Sequence, residues 1–304
     1  MSQSKLIQRA LTVGLALATW LQAADLPPEL PLWERPPVAT PTQANVQEQV
    51  RSLKPPPGSP SGLNRAFSSV SLPTYSIHRP RNPNGLGLVI CPGGGFRDVW
   101  LDREGHDLAI RLKDHNVTCL VLKYRTFVAS DKSPANTWPN ALRAAQADAR
   151  QAIRELRKQA AALELDPHKI GICGFSAGGQ LALKCALYDE PKPESNEVSS
   201  RSDLVGLFYP GIPDDAGQVL EDRTTGGAKP FGLCPFFIIN ARDDQLTPAD
   251  KCISFYAMLL KAGVDAELHV FGSGSHGFGL GDGRGKTTAL WPASFVAWLD
   301  ERAR

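Results

Sequence analysis

The sequence predicts an α/β fold in which a mostly parallel sheet is covered by helices on both faces. Its strand-like runs are continuously apolar rather than alternating, which is typical of strands buried on both faces. These runs alternate along the chain with helical patterns, as expected for parallel strands joined by crossover helices. With 304 residues, of which 42% are hydrophobic, the chain can bury one large core. We therefore predict a single α/β domain over residues 67–304.

Seven strands are predicted from runs of β-branched, aromatic and other apolar residues. Four of these runs are LGLVIC (86–91), VTCLVLKY (117–124), KIGIC (169–173) and PFFIIN (235–240). The other three cover residues 70–78, 203–209 and 266–271. Helices are predicted where apolar residues recur at helical spacing, over residues 104–115, 138–165, 179–184, 249–262 and 287–302. The second helix is closed by Asp166 and Pro167, because proline cannot continue a helix.

The first 66 residues have a different composition from the predicted domain. Lys5 and Arg9 precede a short apolar run over 10–21, and small residues allow cleavage after Ala23. Residues 1–23 are therefore predicted to be a signal peptide, with an uncleaved membrane anchor as the alternative. The protein is expected to be exported, to the periplasm or the extracellular space. Residues 24–66 contain ten prolines and are predicted to be a linker or an arm that wraps the domain.

Charge and cysteine content exclude no class of partner outright, but they argue against some. The formal net charge is only +2, which argues against nucleic acid or an anionic membrane as the main partner. We expect no stable membrane insertion. The six cysteines lie in apolar strand or helix patterns with no C-x-x-C spacing, so we expect reduced core thiols and no metal or cofactor. The oligomeric state stays open.

The segment GFSAG (174–178) predicts a nucleophilic serine. It lies between an apolar strand and a helical pattern, where a G-x-S-x-G sequence forms a tight elbow that presents its serine above the sheet. Ser176 is thus the candidate nucleophile. A serine hydroxyl needs a base to take its proton, and that base needs a third group to orient it.

The base and the acid are predicted from two later loops that each follow a strand. His276 lies in the glycine-rich sequence GSGSHGFG (272–279), and Asp243 and Asp244 directly follow PFFIIN and Ala241-Arg242. The order serine, acid, histidine resembles that of α/β-hydrolases. Asp244 begins the sequence D-x-x-T-P, which favours it as the acid, but Asp243 stays open as the alternative.

A second glycine-rich loop predicts the oxyanion hole. CPGGGF (91–96) ends an earlier strand, where glycines let backbone amides approach a substrate closely. The amide of Gly94 or Gly95, together with that of Ala177, is expected to stabilise the tetrahedral oxygen. The aromatic residues Phe96, Trp100 and Trp138 are candidate substrate contacts that also suit core or lid packing. Arg125 is expected to be a structural ion-pair partner of Asp148 or Glu104.

Several segments together support a resemblance to a known family. They are CPGGGF (91–96), REG (103–105), LKYR (122–125), DAR (148–150) with Arg154, GICGFSAGG (171–179) and residues 266–279. Over residues 70–299 the chain resembles secreted bacterial acetyl-xylan-esterase-like α/β-hydrolases, relatives of the hormone-sensitive-lipase and dienelactone-hydrolase types. The resemblance implies a serine esterase that removes acetyl or other short acyl groups, with Ser176, Asp244 and His276 as its triad. Gln180, where many members have histidine, and the proline-rich arm depart from the family pattern.

The expected substrate is a small-molecule or oligosaccharide ester, with xylan-type carbohydrate implied by the resemblance. One alternative is a general small-ester carboxylesterase or a lipase-like enzyme. Another is a prolyl-oligopeptidase-like peptidase, which has the same triad order but usually carries a large propeller domain ahead of it. The alternative outside enzymes is a catalytically silent carbohydrate-binding relative.

Overall fold

The computed structural model describes residues 25–34, 46–132, 134, 136–188, 198–224, 233–281, 283 and 287–304. The signal peptide predicted over residues 1–23 lies outside the described residues. Eleven strands occur in this part of the chain: β1 (Leu30–Pro31), β2 (Gln49–Ser52), β3 (Arg65–Ser68), β4 (Thr74–His78), β5 (Gly87–Cys91), β6 (Asp98–Val99), β7 (Thr118–Lys123), β8 (Ile170–Phe175), β9 (Val205–Phe208), β10 (Phe236–Ala241) and β11 (Ala266–Phe271).

Eight of these strands form one sheet in the order β1-β4-β7-β5-β8-β9-β10-β11. The six neighbouring strands β7, β5, β8, β9, β10 and β11 run parallel to one another. Beyond β7 the sheet continues with β4 and then β1, each antiparallel to the strand before it. Every residue of β5, β7, β8, β9 and β10 is buried, because helices cover both faces. Strands β2, β3 and β6 form a separate antiparallel sheet. The predicted α/β class with a mostly parallel sheet is confirmed.

Seven α-helices accompany the strands in the described residues. They are α1 (Asp107–Lys113), α2 (Trp138–Lys158), α3 (Ala160–Leu163), α4 (Ala177–Leu187), α5 (Ala216–Thr224), α6 (Ala249–Lys261) and α7 (Trp291–Ala303). A π-helical turn, Asp102–His106, leads directly into α1. No helix in this part of the chain is long and apolar enough to cross a bilayer.

Most predicted elements differ from the structure in their bounds, and two of these differences have a local cause. The strand predicted over 70–78 begins only at Thr74, because Pro73 has no N–H to pair. The helix predicted over 138–165 ends at Lys158, and α3 follows as a separate turn. Glu164 ends that turn in the left-handed conformation, with φ 58°.

The proline-rich N-terminal segment contacts the sheet directly. Its residues 30–31 form β1, which pairs with β4. The ammonium of Lys123, on β7, lies 2.7 Å from a carboxylate oxygen of Glu29 and 2.9 Å from one of Glu48. The Lys123 side chain is only 7% exposed, so these two carboxylates supply the charge that its burial requires. The described residues of this segment, called the arm below, thus pack against the sheet.

A buried ion pair lies under the arm. Asp148 on α2 accepts hydrogen bonds from the Arg125 guanidinium and from the Arg125 backbone amide. Of the two partners expected for Arg125, the structure therefore selects Asp148. The indole Nε1 of Trp33, in the arm, donates to the same carboxylate at 2.8 Å.

Substitution Trp33→Phe is expected to lower the free energy of unfolding by about 1–2 kcal/mol, because Asp148 loses a buried donor while the ring packing is largely kept. Urea unfolding at an unchanged m-value measures this loss. The matched control is Arg79→Ala, which removes an exposed ion pair with Glu164 and should cost no more than about 0.5 kcal/mol. Equal midpoints for Trp33→Phe and the wild type would contradict the contribution of this bond.

Candidate active site

Ser176 lies at the sharp turn between β8 and α4. Its backbone has φ 52° and ψ −116°, a conformation that L-residues rarely adopt. The turn is held because the Ser176 amide donates to the Phe208 carbonyl at 2.9 Å, and the Ser176 carbonyl accepts from Gln180. Strain of this kind is common where a side chain must be presented for chemistry. The side chain is half-buried at the carboxyl end of the sheet, above the N-terminus of α4.

The structure brings Ser176, His276 and Asp244 together in one hydrogen-bonded chain. His276 Nε2 lies 2.8 Å from Ser176 Oγ, and His276 Nδ1 lies 2.8 Å from Asp244 Oδ2. An ionised carboxylate can only accept, so Nδ1 carries the proton and Nε2 accepts the serine hydroxyl. These contacts join residues 100 and 32 positions apart in sequence.

The two aspartates at the end of β10 have different surroundings. Asp244 is 2% exposed, and its Oδ1 accepts from the amides of Leu246 and Thr247, at 2.9 Å each. Burial raises the pKa of Asp244, but hydrogen bonds from His276 and from the Thr247 amide outweigh it and lower the pKa below its usual value. Asp243 instead accepts from the Ser275 amide at 2.8 Å and braces the loop that carries His276.

The glycine-rich loop after β5 lies against the serine turn, backbone to backbone. A Cβ at Gly178 would be 2.0 Å from the Cys91 carbonyl oxygen, and one at Gly94, where φ is +135°, would be 2.0 Å from the Asp98 carbonyl oxygen. No side chain fits at either position. Gly93 lies beside the nucleophile, since a Cβ there would be 3.0 Å from Ser176 Cβ. The Gly93 amide is engaged, donating to Glu104 Oε2 at 2.9 Å.

The three aromatic candidates lie in different surroundings. Phe96 is 8% exposed, has φ 57°, and packs on Tyr124. The Trp100 ring lies 4.3 Å from the guanidinium carbon of Arg103. Trp138 is 39% exposed and stacks on Phe127 with ring centroids 4.8 Å apart. Trp138 is thus the most accessible of the three rings, and Phe96 is the most enclosed.

The sequence analysis did not predict the structural roles of three polar residues around the site. Thr247 Oγ1 lies 2.9 Å from Asp244 Oδ2 and 3.1 Å from His276 Nδ1. The Tyr209 ring packs edge-on against the His276 ring, with centroids 5.2 Å apart. The Tyr209 hydroxyl donates to Glu104 Oε1 at 3.0 Å. Thr247 has a signal in the D-x-x-T-P pattern, but the Tyr209 and Glu104 contact spans 105 residues and has no local signature.

The chain is similar in sequence to one family model and to two named relatives. The BD-FAE family model matches residues 120–203. An acetylxylan esterase of Xylanibacter ruminicola is 26% identical over 216 residues, which cover 66% of this chain and 43% of the relative. An endo-1,4-beta-xylanase B of Butyrivibrio fibrisolvens is 28% identical over 210 residues, which cover 62% of this chain and 32% of the relative. The chain thus spans about a third to under half of the length of these two relatives.

The solved structures share the fold. An acetyl ester-xyloside bifunctional hydrolase from Caldicellulosiruptor lactoaceticus superposes with a TM-score of 0.64 at 23% sequence identity, covering 92% of this chain and 98% of that one. The α/β-hydrolase fold implied by the sequence is confirmed. The resemblance to acetyl-xylan-esterase-like hydrolases, predicted from motifs at residues 91–96, 171–179 and 266–279, is confirmed as well.

Proposed function

We propose that this chain is a serine carboxylesterase that removes acetyl or other short acyl groups, with xylan-type carbohydrate esters as its substrates. The observation that carries the proposal is the hydrogen-bonded chain of Ser176, His276 and Asp244, with both contacts of His276 at 2.8 Å. Such a chain activates a hydroxyl that is otherwise a poor nucleophile.

In the proposed reaction, Ser176 Oγ attacks the ester carbonyl carbon while its proton passes to His276 Nε2. The carbonyl oxygen becomes an oxyanion, stabilised by the amides of Gly94 or Gly95 and of Ala177. The bond to the alcohol oxygen then breaks, and His276 returns the proton to that oxygen. Because Glu104 already engages the Gly93 amide, the next two glycines are the natural donors of this loop.

Water completes the proposed cycle. His276 takes a proton from a water molecule, the resulting hydroxide attacks the acyl carbon, and the bond to Ser176 Oγ breaks as the proton returns to the serine. Asp244 remains ionised throughout and stabilises the imidazolium. The lowered pKa of Asp244 suits this role, since the carboxylate must stay charged at neutral pH.

The substrate class rests on the relatives. One is named acetylxylan esterase, and a structural neighbour is named acetyl ester-xyloside bifunctional hydrolase. Accordingly, Trp100 and Trp138, with Phe96, are proposed as contacts for the sugar and acyl parts, because aromatic faces stack on sugar rings. Residues 1–23 are proposed to direct export, and polysaccharide substrates are met outside the cytoplasm.

A substrate panel combined with covalent labelling tests this function. We expect acetate release from acetylated xylo-oligosaccharides, and p-nitrophenyl ester hydrolysis that falls as the acyl chain lengthens beyond about four carbons, since the pocket is proposed to fit short chains. A fluorophosphonate should modify one residue, Ser176, identified by peptide mass spectrometry. Labelling elsewhere would contradict the nucleophile. Cleavage of proline peptides without ester hydrolysis would favour the peptidase alternative, and xylan binding without labelling would favour a silent relative.

A further inference from the structure

A buried connection joins the oxyanion loop to the loop that carries His276. Glu104, in the π-helical turn and 2% exposed, accepts from the Gly93 amide through Oε2 at 2.9 Å and from the Tyr209 hydroxyl through Oε1 at 3.0 Å. The Tyr209 hydroxyl in turn accepts from the Gly279 amide at 3.0 Å. One carboxylate and one phenol therefore link the segment after β5 to the segment after β11.

Other contacts hold each loop to the core separately. The Tyr124 hydroxyl donates to the Pro92 carbonyl at 2.7 Å, and the Trp291 indole donates to the Gly279 carbonyl at 2.9 Å. Those two bonds limit the movement of each loop against its own neighbours. The link through Glu104 and Tyr209 differs from these two bonds, because it connects the two loops to each other and thereby sets the distance between them.

Tyr209 also contacts the catalytic groups themselves. Its ring packs edge-on against His276, and its carbonyl accepts from the hydroxyl of Thr247, beside Asp244. Its backbone is held in an uncommon conformation, with φ 39°, where the end of β9 meets Ile239 of β10. Burial and the nearby Glu104 charge raise the pKa of the Tyr209 hydroxyl, which keeps it a proton donor to Glu104.

We infer that Glu104 and Tyr209 are positioning residues that hold the oxyanion donors and the imidazole of His276 in register during catalysis. This inference rests on the proposed function. An oxyanion donor acts only within about 2.7–3.1 Å of the developing charge, and a misplacement of about 1 Å can cost about 100-fold in rate. The two loops follow different strands, β5 and β11. The Glu104–Tyr209 pair bonds to both loops and so keeps the distance between them constant.

The sharpest test is Tyr209→Phe, which keeps the ring and removes both hydroxyl bonds. For p-nitrophenyl acetate, kcat is expected to fall by about 10- to 100-fold with KM within about threefold, because the substrate still binds but the donors and the base are misaligned. Glu104→Gln keeps one acceptor and should lose less kcat than Glu104→Ala. Rates are divided by the concentration of active sites that a fluorophosphonate labels, and they are measured well below the melting temperature of each variant.

The matched control is Asp102→Asn. Asp102 lies in the same π-helical turn and is fully buried, but it binds the amide and guanidinium of Arg65 rather than either catalytic loop. It should lower the melting temperature and leave kcat within about twofold. In the double variant Glu104→Gln, Tyr209→Phe, the fall in kcat should exceed the larger of the two single falls by no more than about threefold. The reason is that both changes break the same connection.

The outcomes separate this inference from the proposed function. If Tyr209→Phe and Glu104→Gln keep wild-type kcat, or if Asp102→Asn loses kcat equally, the positioning role is wrong while esterase activity stands. Fully additive losses in the double variant would also overturn the shared connection. If the wild type neither hydrolyses esters nor is labelled at Ser176, the proposed function fails and the positioning role with it.

Discussion

Replacement of Ser176 by alanine is expected to lower kcat for p-nitrophenyl acetate by about 10⁴-fold or more, to the small residual rate that the oxyanion donors and substrate binding sustain without the nucleophile. The reason is that the hydroxyl 2.8 Å from His276 Nε2 is the group proposed to form the acyl-enzyme. Without it, the remaining amides and the imidazole can act only on water, which is a poorer and unpositioned nucleophile. Initial rates with purified protein, compared with buffer alone, measure the loss.

Ser275→Ala is the matched control for that experiment. Ser275 precedes His276 in the same loop and is exposed, and its backbone amide, not its hydroxyl, makes the short bond to Asp243. Removing its hydroxyl should leave kcat within about twofold, since loop geometry rests on the backbone bond. Full activity in Ser176→Ala would contradict the proposed mechanism, and so would an equal loss in Ser275→Ala.

The second large effect concerns the acid. Asp244→Asn is expected to lower kcat by about 10⁴-fold with little change in KM, because the amide can donate to Nδ1 and thereby favours the wrong imidazole tautomer. Asp243→Asn should keep kcat within about threefold, since its remaining carbonyl oxygen can still accept from the Ser275 amide. Circular dichroism and the melting temperature establish that both variants are folded.

This pair of variants separates two neighbours that the sequence could not distinguish fully. A loss in Asp243→Asn as large as that in Asp244→Asn would mean that bracing of the His276 loop, not orientation of the imidazole, governs the rate. A loss confined to Asp243→Asn would reverse the proposed assignment. Fluorophosphonate labelling should slow in Asp244→Asn as well, because the same base activates Ser176 toward the probe.

The parts of the fold that could be predicted are those with a local cause. Buried parallel strands produce continuous apolar runs, and a tight serine turn requires glycines two residues before and after Ser176. Asp244 and His276 could be placed because each follows a strand at the edge where sites of open α/β sheets form. The strand predicted over 70–78 begins too early, because no local pattern shows that the Val70 amide bonds to the Thr126 hydroxyl rather than to a neighbouring strand.

What could not be predicted depends on contacts between distant residues. Glu104 lies in a motif of the resemblance, yet nothing in REG indicates that its carboxylate reaches Gly93 and Tyr209 at once. Arg125 had two candidate partners of the same charge, and only packing selects Asp148. Short strands such as β1 and β6, two residues each, carry too few residues to show a periodicity.

The Lys123 and Trp33 contacts of the arm imply an order of assembly. Glu48 and Lys123 are 75 residues apart, and Trp33 and Asp148 are 115 apart, with the arm partner earlier in each pair. The arm is therefore synthesised first, and we expect it to dock after β7 and α2 have formed. Until the arm docks, we expect the ammonium of Lys123 to remain in water, and docking then covers an already assembled sheet. Protease sensitivity of the arm should accordingly disappear last during refolding.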